Sequence, residues 1–198
     1  VGGESTRPGS EPVPDDEQIR RVVPVIRELA QAGLVVSIDT TSARVAAEAL
    51  AAGAEIINDI SAFRFDPGML GLLAESGVPA IAMHTLGPPK TMQQAPAYRD
   101  VVREVCEHLR ERVRVAEAHG IDPARIALDP GIGFGKRLEH NLALLRHLGE
   151  VVALGHPVLV GTSRKSFLGR LTGKEVGDRL MATAASVAIS IANGAHIV

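Results

Sequence analysis

Asp39, Asn58, His84, Asp129 and Ser163 each stand at or just past the end of a different short apolar run. Carboxylates and an amide in such places can accept hydrogen bonds from the ring N–H and amino groups of a polar ligand. Left unpaired among aliphatic neighbours, each would cost roughly 2–7 kcal/mol, so a ligand or a polar network is expected there. Asp39, in Ser37-Ile38-Asp39-Thr40, also reads as a cap for a helix starting near Ser42, and one of Asn58 and Asp59 also reads as structural.

Three loops add cations and glycines. Gly2-Gly3-Glu4-Ser5-Thr6-Arg7-Pro8-Gly9 is a candidate lid or anion clamp in which Arg7 could grip a phosphate through two N–H groups. Gly161-Thr162-Ser163-Arg164-Lys165-Ser166 opens a helix, whose free N–H groups beside two cations favour an anion or a carbonyl oxygen. Lys165 also reads as a Schiff-base nucleophile, its pKa lowered by Arg164. Asp129-Pro130-Gly131-Ile132-Gly133-Phe134-Gly135-Lys136 is not a nucleotide-binding phosphate loop: Pro130 replaces the first glycine of that pattern, and Arg137 stands where Ser or Thr should follow the lysine. The seven histidines are scattered, which speaks against a metal centre and leaves His84 as a hydrogen-bonding or structural residue. Cys106, the single cysteine, falls in an amphipathic helix and reads as inert filler in a reducing compartment.

The apolar runs are Leu34 to Ile38, Glu55 to Ile60, Pro79 to Met83, Arg125 to Leu128, Pro157 to Val160 and Ala195 to Val198. Helical patterns separate them. Asp15 or Asp16 is expected to cap the first helix, Pro24 to kink it, Ser42 to start an Ala-rich helix, and Gly53 to end that helix. Alternating strands and helices imply a parallel sheet with right-handed crossovers, either open or closed into a barrel. In an open sheet five neighbouring strand ends would spread over about 19 Å at roughly 4.8 Å per gap. Only a closed ring gathers all five polar residues at one mouth, so a (β/α)8 TIM barrel is expected. Such a barrel needs about 250 residues. The 198 present are therefore expected to form a single barrel domain, 1–198, truncated at both ends and lacking the first βα unit and the last helix.

Lys and Arg total 21 against 23 Asp and Glu, and aromatic residues are 3 %, so neither a basic stripe nor a stacking platform for nucleic acid is present. No apolar run approaches the roughly 20 residues of a membrane helix, and a cytoplasmic protein is the expectation.

Ser5-Thr6-Arg7-Pro8-Gly9, Ser37-Ile38-Asp39-Thr40, Ile57-Asn58-Asp59-Ile60, Met83-His84, Asp129-Pro130-Gly131 through Gly135-Lys136, and Ser163-Arg164-Lys165-Ser166 together resemble dihydropteroate synthase, in that family's order and nearly end to end. The resemblance implies a TIM-barrel transferase of folate biosynthesis. Such an enzyme joins 4-aminobenzoate to 7,8-dihydropterin-6-ylmethyl diphosphate, releases diphosphate, and is the target of sulfonamides. It implies that Asp39, Asn58, Met83, Asp129 and Lys165 hold the pterin and that Thr6 and Arg7 close over the diphosphate. Thr6, Pro8, Phe134, Ser163 and Arg164 would serve the aminobenzoate, with Arg7 and Lys165 as catalytic groups. Mg2+ is expected on the diphosphate, its protein ligand lying before Val1, and a homodimer is expected. His84-Thr85-Leu86 departs from the family's commoner His-Met-Gln. Competing readings are a pterin-binding methyltransferase of the same barrel family, a Schiff-base aldolase using Lys165, and an inactive pterin-binding fragment.

Overall fold

The computed structural model describes residues 1–198. Its elements alternate: α1 (Asp15–Gln31), β1 (Ser37–Asp39), α2 (Ala43–Ala51), β2 (Ile56–Asp59), α3 (Gly68–Ser76), β3 (Ala80–Met83), α4 (Val101–Ala118), β4 (Ile126–Asp129), α5 (Leu138–Arg146), α6 (Leu148–Val152), α7 (Ser166–Thr172) and α8 (Leu180–Ala192). The sheet runs β1-β2-β3-β4, all parallel. Single parallel bridges continue it at both sides: Gly2 with Asp39, Leu128 with Val158, and Leu159 with Ile197. Seven strand positions therefore follow one another in chain order. A doubly wound sheet would place strands out of sequence at a switch point; the order seen here is that of a (β/α)8 ring.

The strands are only three or four residues long, and their alternation does the architectural work. Ile38, Ile57, Ala80, Ala82, Ile126 and Leu128 face the helices and join one apolar core with Val22 and Ile26 of α1, Val45 and Ala49 of α2, Leu73 of α3, and Val105 and Leu109 of α4. Full burial of each such aliphatic side chain contributes about 1.5–3 kcal/mol. Cys106 lies in the same core and is unpaired. No helix is long and apolar enough to cross a membrane.

The helix ends follow from local chemistry, with one correction. Ser42 caps α2 by accepting from the Val45 N–H at 3.2 Å, and Asp100 caps α4 by accepting from the Arg103 N–H at 3.1 Å. The cap of α1, by contrast, is Pro14, and Asp15 and Asp16 lie inside the first turn. There their charge still suits the helix dipole, while Asp15 accepts from the Ser42 hydroxyl and Asp16 pairs with Arg44, tying α1 to α2. The helical assignment of α1 runs through Pro24 without a break.

Candidate active site

In a parallel sheet, residues in register point to the same side, and side chains alternate along each strand. Asp39 is in register with Asn58, Asn58 with Ile81, and Met83 with Asp129. Since Ile81 and Met83 are two residues apart, Asp39, Asn58, Met83 and Asp129 all project from the face opposite the helix-packed core. Asp59 falls on the other face, fully buried, where its carboxylate accepts from the Ser61 N–H and hydroxyl, both at 2.7 Å, and from the Phe63 N–H at 3.2 Å. Burial raises its pKa to about 6 against those bonds. Asp59 therefore shapes the turn after β2, in which Ala62 and Phe63 hold positive φ, and Asn58 is the member of the pair that faces the interior.

Asp39 Oδ1 is buried and has no hydrogen-bond partner. Burial pushes this carboxyl above the usual range, and the charged amine of Val1, followed by the Asn58 amide, pulls it part of the way back. An orphaned buried acceptor costs about 1–3 kcal/mol, and more when charged, which is what a site awaiting a donor-bearing ligand looks like. Asp129, 6 % exposed, accepts from the Gly131 N–H at 2.7 Å. Its pKa is raised by burial and drawn back by Lys165, by that backbone bond and by Lys136.

The loop from Gly131 to Lys136 is glycine-rich because it is pressed against the segment after β3. A Cβ on Gly131 would stand 1.9 Å from the His84 carbonyl oxygen, and one on Gly135 would stand 2.5 Å from Leu86 Cβ. Lys165 reaches over this loop: its ammonium donates to the Ile132 carbonyl and lies 4.7 Å from the centre of the Phe134 ring. Burial lowers the Lys165 pKa, and Asp129 offsets this. Arg164 has no part in that shift. It sits at φ +54 with its Nε donating to the Val176 carbonyl at 3.1 Å and its backbone N–H donating to Thr183, so its guanidinium is committed to the connection between α7 and α8.

Thr6, Arg7 and Pro8 lie in a loop that docks on the loop after β3 through the Gly9 N–H to the Pro89 carbonyl, 2.9 Å, and the Lys90–Glu11 ion pair, 2.9 Å. Arg7 is exposed. Pro8 lines a cavity of about 530 Å³ together with Gln93, Arg137, Asn141, Ser166 and Arg170. Ser163 is exposed and is not among the cavity's walls.

Several residues acquire a role only in the structure. Gln93 donates to the Gly133 carbonyl at 2.8 Å, Asn141 accepts from the Gly133 N–H at 2.7 Å, and buried Lys136 donates to His84 Nδ1 at 2.9 Å. Together they brace the glycine loop. The donor set does not fit a metal: no three His, Cys, Asp or Glu side chains gather into one site.

Comparison with known proteins is consistent with this geometry. The family model for pterin binding enzymes matches residues 1–198. The dihydropteroate synthase of Escherichia coli is 45% identical over 199 residues, covering 100% of this chain and 70% of that protein. A probable bifunctional folylpolyglutamate synthase/dihydropteroate synthase of Haloferax volcanii is 48% identical over 198 residues, and there the chain spans only 23% of the relative. The solved Xanthomonas albilineans dihydropteroate synthase with 4-aminobenzoic acid superposes with a TM-score of 0.94 at 46% identity, covering 100% of this chain and 70% of that one.

Proposed function

The chain belongs to the family of pterin-binding enzymes, and we propose that it works as a dihydropteroate synthase, joining 4-aminobenzoate to 7,8-dihydropterin-6-ylmethyl diphosphate. The observation that carries this reading is the inward stripe of Asp39, Asn58 and Asp129, with one buried carboxylate oxygen left unpartnered. A pterin edge presents ring N–H and amino donors to such acceptors. Two carboxylates and an amide match it, while Lys165 supplies a donor for a carbonyl and Met83, 2 % exposed, supplies an apolar wall.

In the reaction the aminobenzoate nitrogen bonds to the pterin methylene carbon, the carbon–oxygen bond to diphosphate breaks, and the amine sheds a proton. The carboxylates that orient the ring also stabilise the positive charge that develops on it as diphosphate leaves. No covalent bond to the protein is required, so positioning and preorganised charge carry the rate. Arg7, free and exposed in its loop, is the cation for the departing diphosphate, with Thr6 beside it. Pro8 and Phe134 flank the aminobenzoate, whose carboxylate lies toward the start of α7. Ser166, on the wall of the cavity that Pro8 also lines, suits that carboxylate better than Ser163 or the committed Arg164 guanidinium. Sulfonamides would compete there. Mg2+ belongs to this proposal as a companion of the substrate's diphosphate, since these side chains form no metal site of their own. A homodimer and a cytoplasmic location are proposed with it.

The test is turnover by the native protein that carries this chain, supplied with the pterin diphosphate and 4-aminobenzoate. Release of diphosphate with formation of dihydropteroate is expected; methyl transfer from a methylated pterin, with no condensation, would overturn the reading.

A further inference from the structure

The cavity that Pro8 and Ser166 line carries positive charge that the chemistry above leaves unused. At about 530 Å³ it falls within the roughly 300–1,000 Å³ of small-molecule sites. Its ionisable lining residues are Lys136, Arg137 and Arg170, all basic, in a chain whose net charge is −2. A cleft lined by one sign of charge concentrates the field and draws in the opposite ion. The Lys136 ammonium is already occupied, by His84 Nδ1 at 2.9 Å and the Phe134 carbonyl at 3.0 Å. The charge open to a ligand therefore rests with the two arginines.

Both guanidiniums are free. Arg64, Arg112, Arg164 and Arg179 place theirs on carbonyl oxygens of the chain, whereas those of Arg137 and Arg170 meet neither a carbonyl nor a carboxylate. Arg137 is fixed through its main chain instead. Its N–H donates to His140 Nδ1 at 3.1 Å, and its carbonyl accepts from Asn141 Nδ2 at 2.7 Å, which holds it at the start of α5. Arg170 follows Ser166 by four residues within α7, so the two share one helix face, with Cβ atoms about 5–6 Å apart.

Resting on the synthase reading, we infer that Arg137 and Arg170 are specificity-determining residues: they supply, from α5 and α7, the positive charge for the carboxylate of the arylamine acceptor. Ser166 offers that carboxylate a hydroxyl but no charge, and the Arg164 guanidinium is committed to Val176. A guanidinium presents paired N–H donors that match a carboxylate. The carboxylate lies at the end of the acceptor remote from the reacting nitrogen and keeps its charge throughout. The arginines therefore hold ground state and transition state alike, which lowers KM and leaves kcat unaltered.

The test is steady-state kinetics of the native protein that carries this chain. Arg137→Gln combined with Arg170→Gln is expected to raise KM for 4-aminobenzoate at least fivefold, while kcat and KM for the pterin diphosphate move less than twofold. Arg137→Lys combined with Arg170→Lys keeps the charge and is expected to recover most of the loss. Unchanged KM for 4-aminobenzoate in the glutamine variant overturns the inference. So does a loss shared by kcat and the pterin KM, the mark of structural damage, or one confined to the pterin KM, which would give the arginines to the diphosphate. No recovery in the lysine variant overturns it as well. Wild-type protein that forms no dihydropteroate sinks the synthase reading and this inference with it; wild-type turnover with any of the contrary variant results sinks this inference alone.

Discussion

Gly131→Ala separates close approach from backbone freedom as the reason for the glycines after Asp129. Gly131 has φ +69, and its added Cβ would meet the His84 carbonyl oxygen at 1.9 Å, more than 1 Å inside the 3.0 Å limit of real Cβ contacts. Holding an alanine at positive φ costs about 1–2 kcal/mol, and forcing a methyl into a packed site costs a further 1–3 kcal/mol or so. The sum is about 2–5 kcal/mol of a total stability of about 5–15 kcal/mol. At roughly 2–4 °C per kcal/mol for a chain of this size, Tm falls by about 4–20 °C. Gly33→Ala is the control, because Gly33 has φ +75 with nothing within 4 Å of the added Cβ; it carries the conformational term alone, about 1–2 kcal/mol. Urea unfolding followed by circular dichroism measures both. The expected result is a clear excess loss for Gly131→Ala, accompanied by weaker pterin binding as the His84 segment is pushed away. Equal losses for the two variants, within about 0.5 kcal/mol, would show that the loop does not depend on the close contact with His84.

Asp129→Asn keeps the shape and removes the charge. It is expected to weaken dihydropterin binding by about 10–100-fold in calorimetry, the worth of a hydrogen bond to a charged group, and unchanged affinity would remove Asp129 from the site. Arg7→Ala should lower kcat more than it raises the pterin dissociation constant, because the cation is needed most as diphosphate leaves; equal losses would count against that role. Borohydride with a carbonyl substrate should leave Lys165 unlabelled, as its ammonium is engaged by the Ile132 carbonyl, and a labelled Lys165 would favour the aldolase reading. His84 contributes to acid sensitivity. Burial holds its folded pKa at about 2 against an ordinary value of 6.5, so between those values the unfolded chain binds the extra proton and stability falls as pH falls. At pH 5 this amounts to about 2 kcal/mol relative to pH 7.5; His108, held at about 4 by burial, adds a similar loss, so His84→Gln should remove about half of the pH dependence seen in urea unfolding at the two pH values.

The polar groups that face the interior were legible in the sequence because a charge or amide that ends an aliphatic run has few explanations. That is why Asp39, Asn58 and Asp129 could be singled out, and the same runs located the strands to within a few residues. What the sequence left open was which way each side chain turns. Asn58 and Asp59 are adjacent and both polar, and only the register of Asp39 with Asn58 separates a ligand-facing amide from a turn-building carboxylate. Arg164 reads as a companion of Lys165 in one dimension, but its left-handed backbone sends the guanidinium to Val176. Lys136 was hidden by the glycine pattern around it, since nothing in a linear string announces that a lysine seven residues past a β-strand tucks behind its own loop. Pro14 displaced Asp15 as the first cap because a proline preset for φ near −65° enters a helix without needing a hydrogen-bonded N–H.

The two-sided strands have a consequence for redesign. Outer positions such as Ile38, Ile57 and Leu128 answer only to the helices, and inner positions such as Asn58 answer only to whatever occupies the mouth. A chemist could exchange Asn58 for another small polar group and retune the heterocycle that is accepted, leaving the aliphatic lattice behind it untouched. Inserting a single residue in β1 would do the reverse, turning Ile38 toward the ligand and Asp39 into the grease. Such a barrel forgives rewording of its letters far more readily than a change in their count.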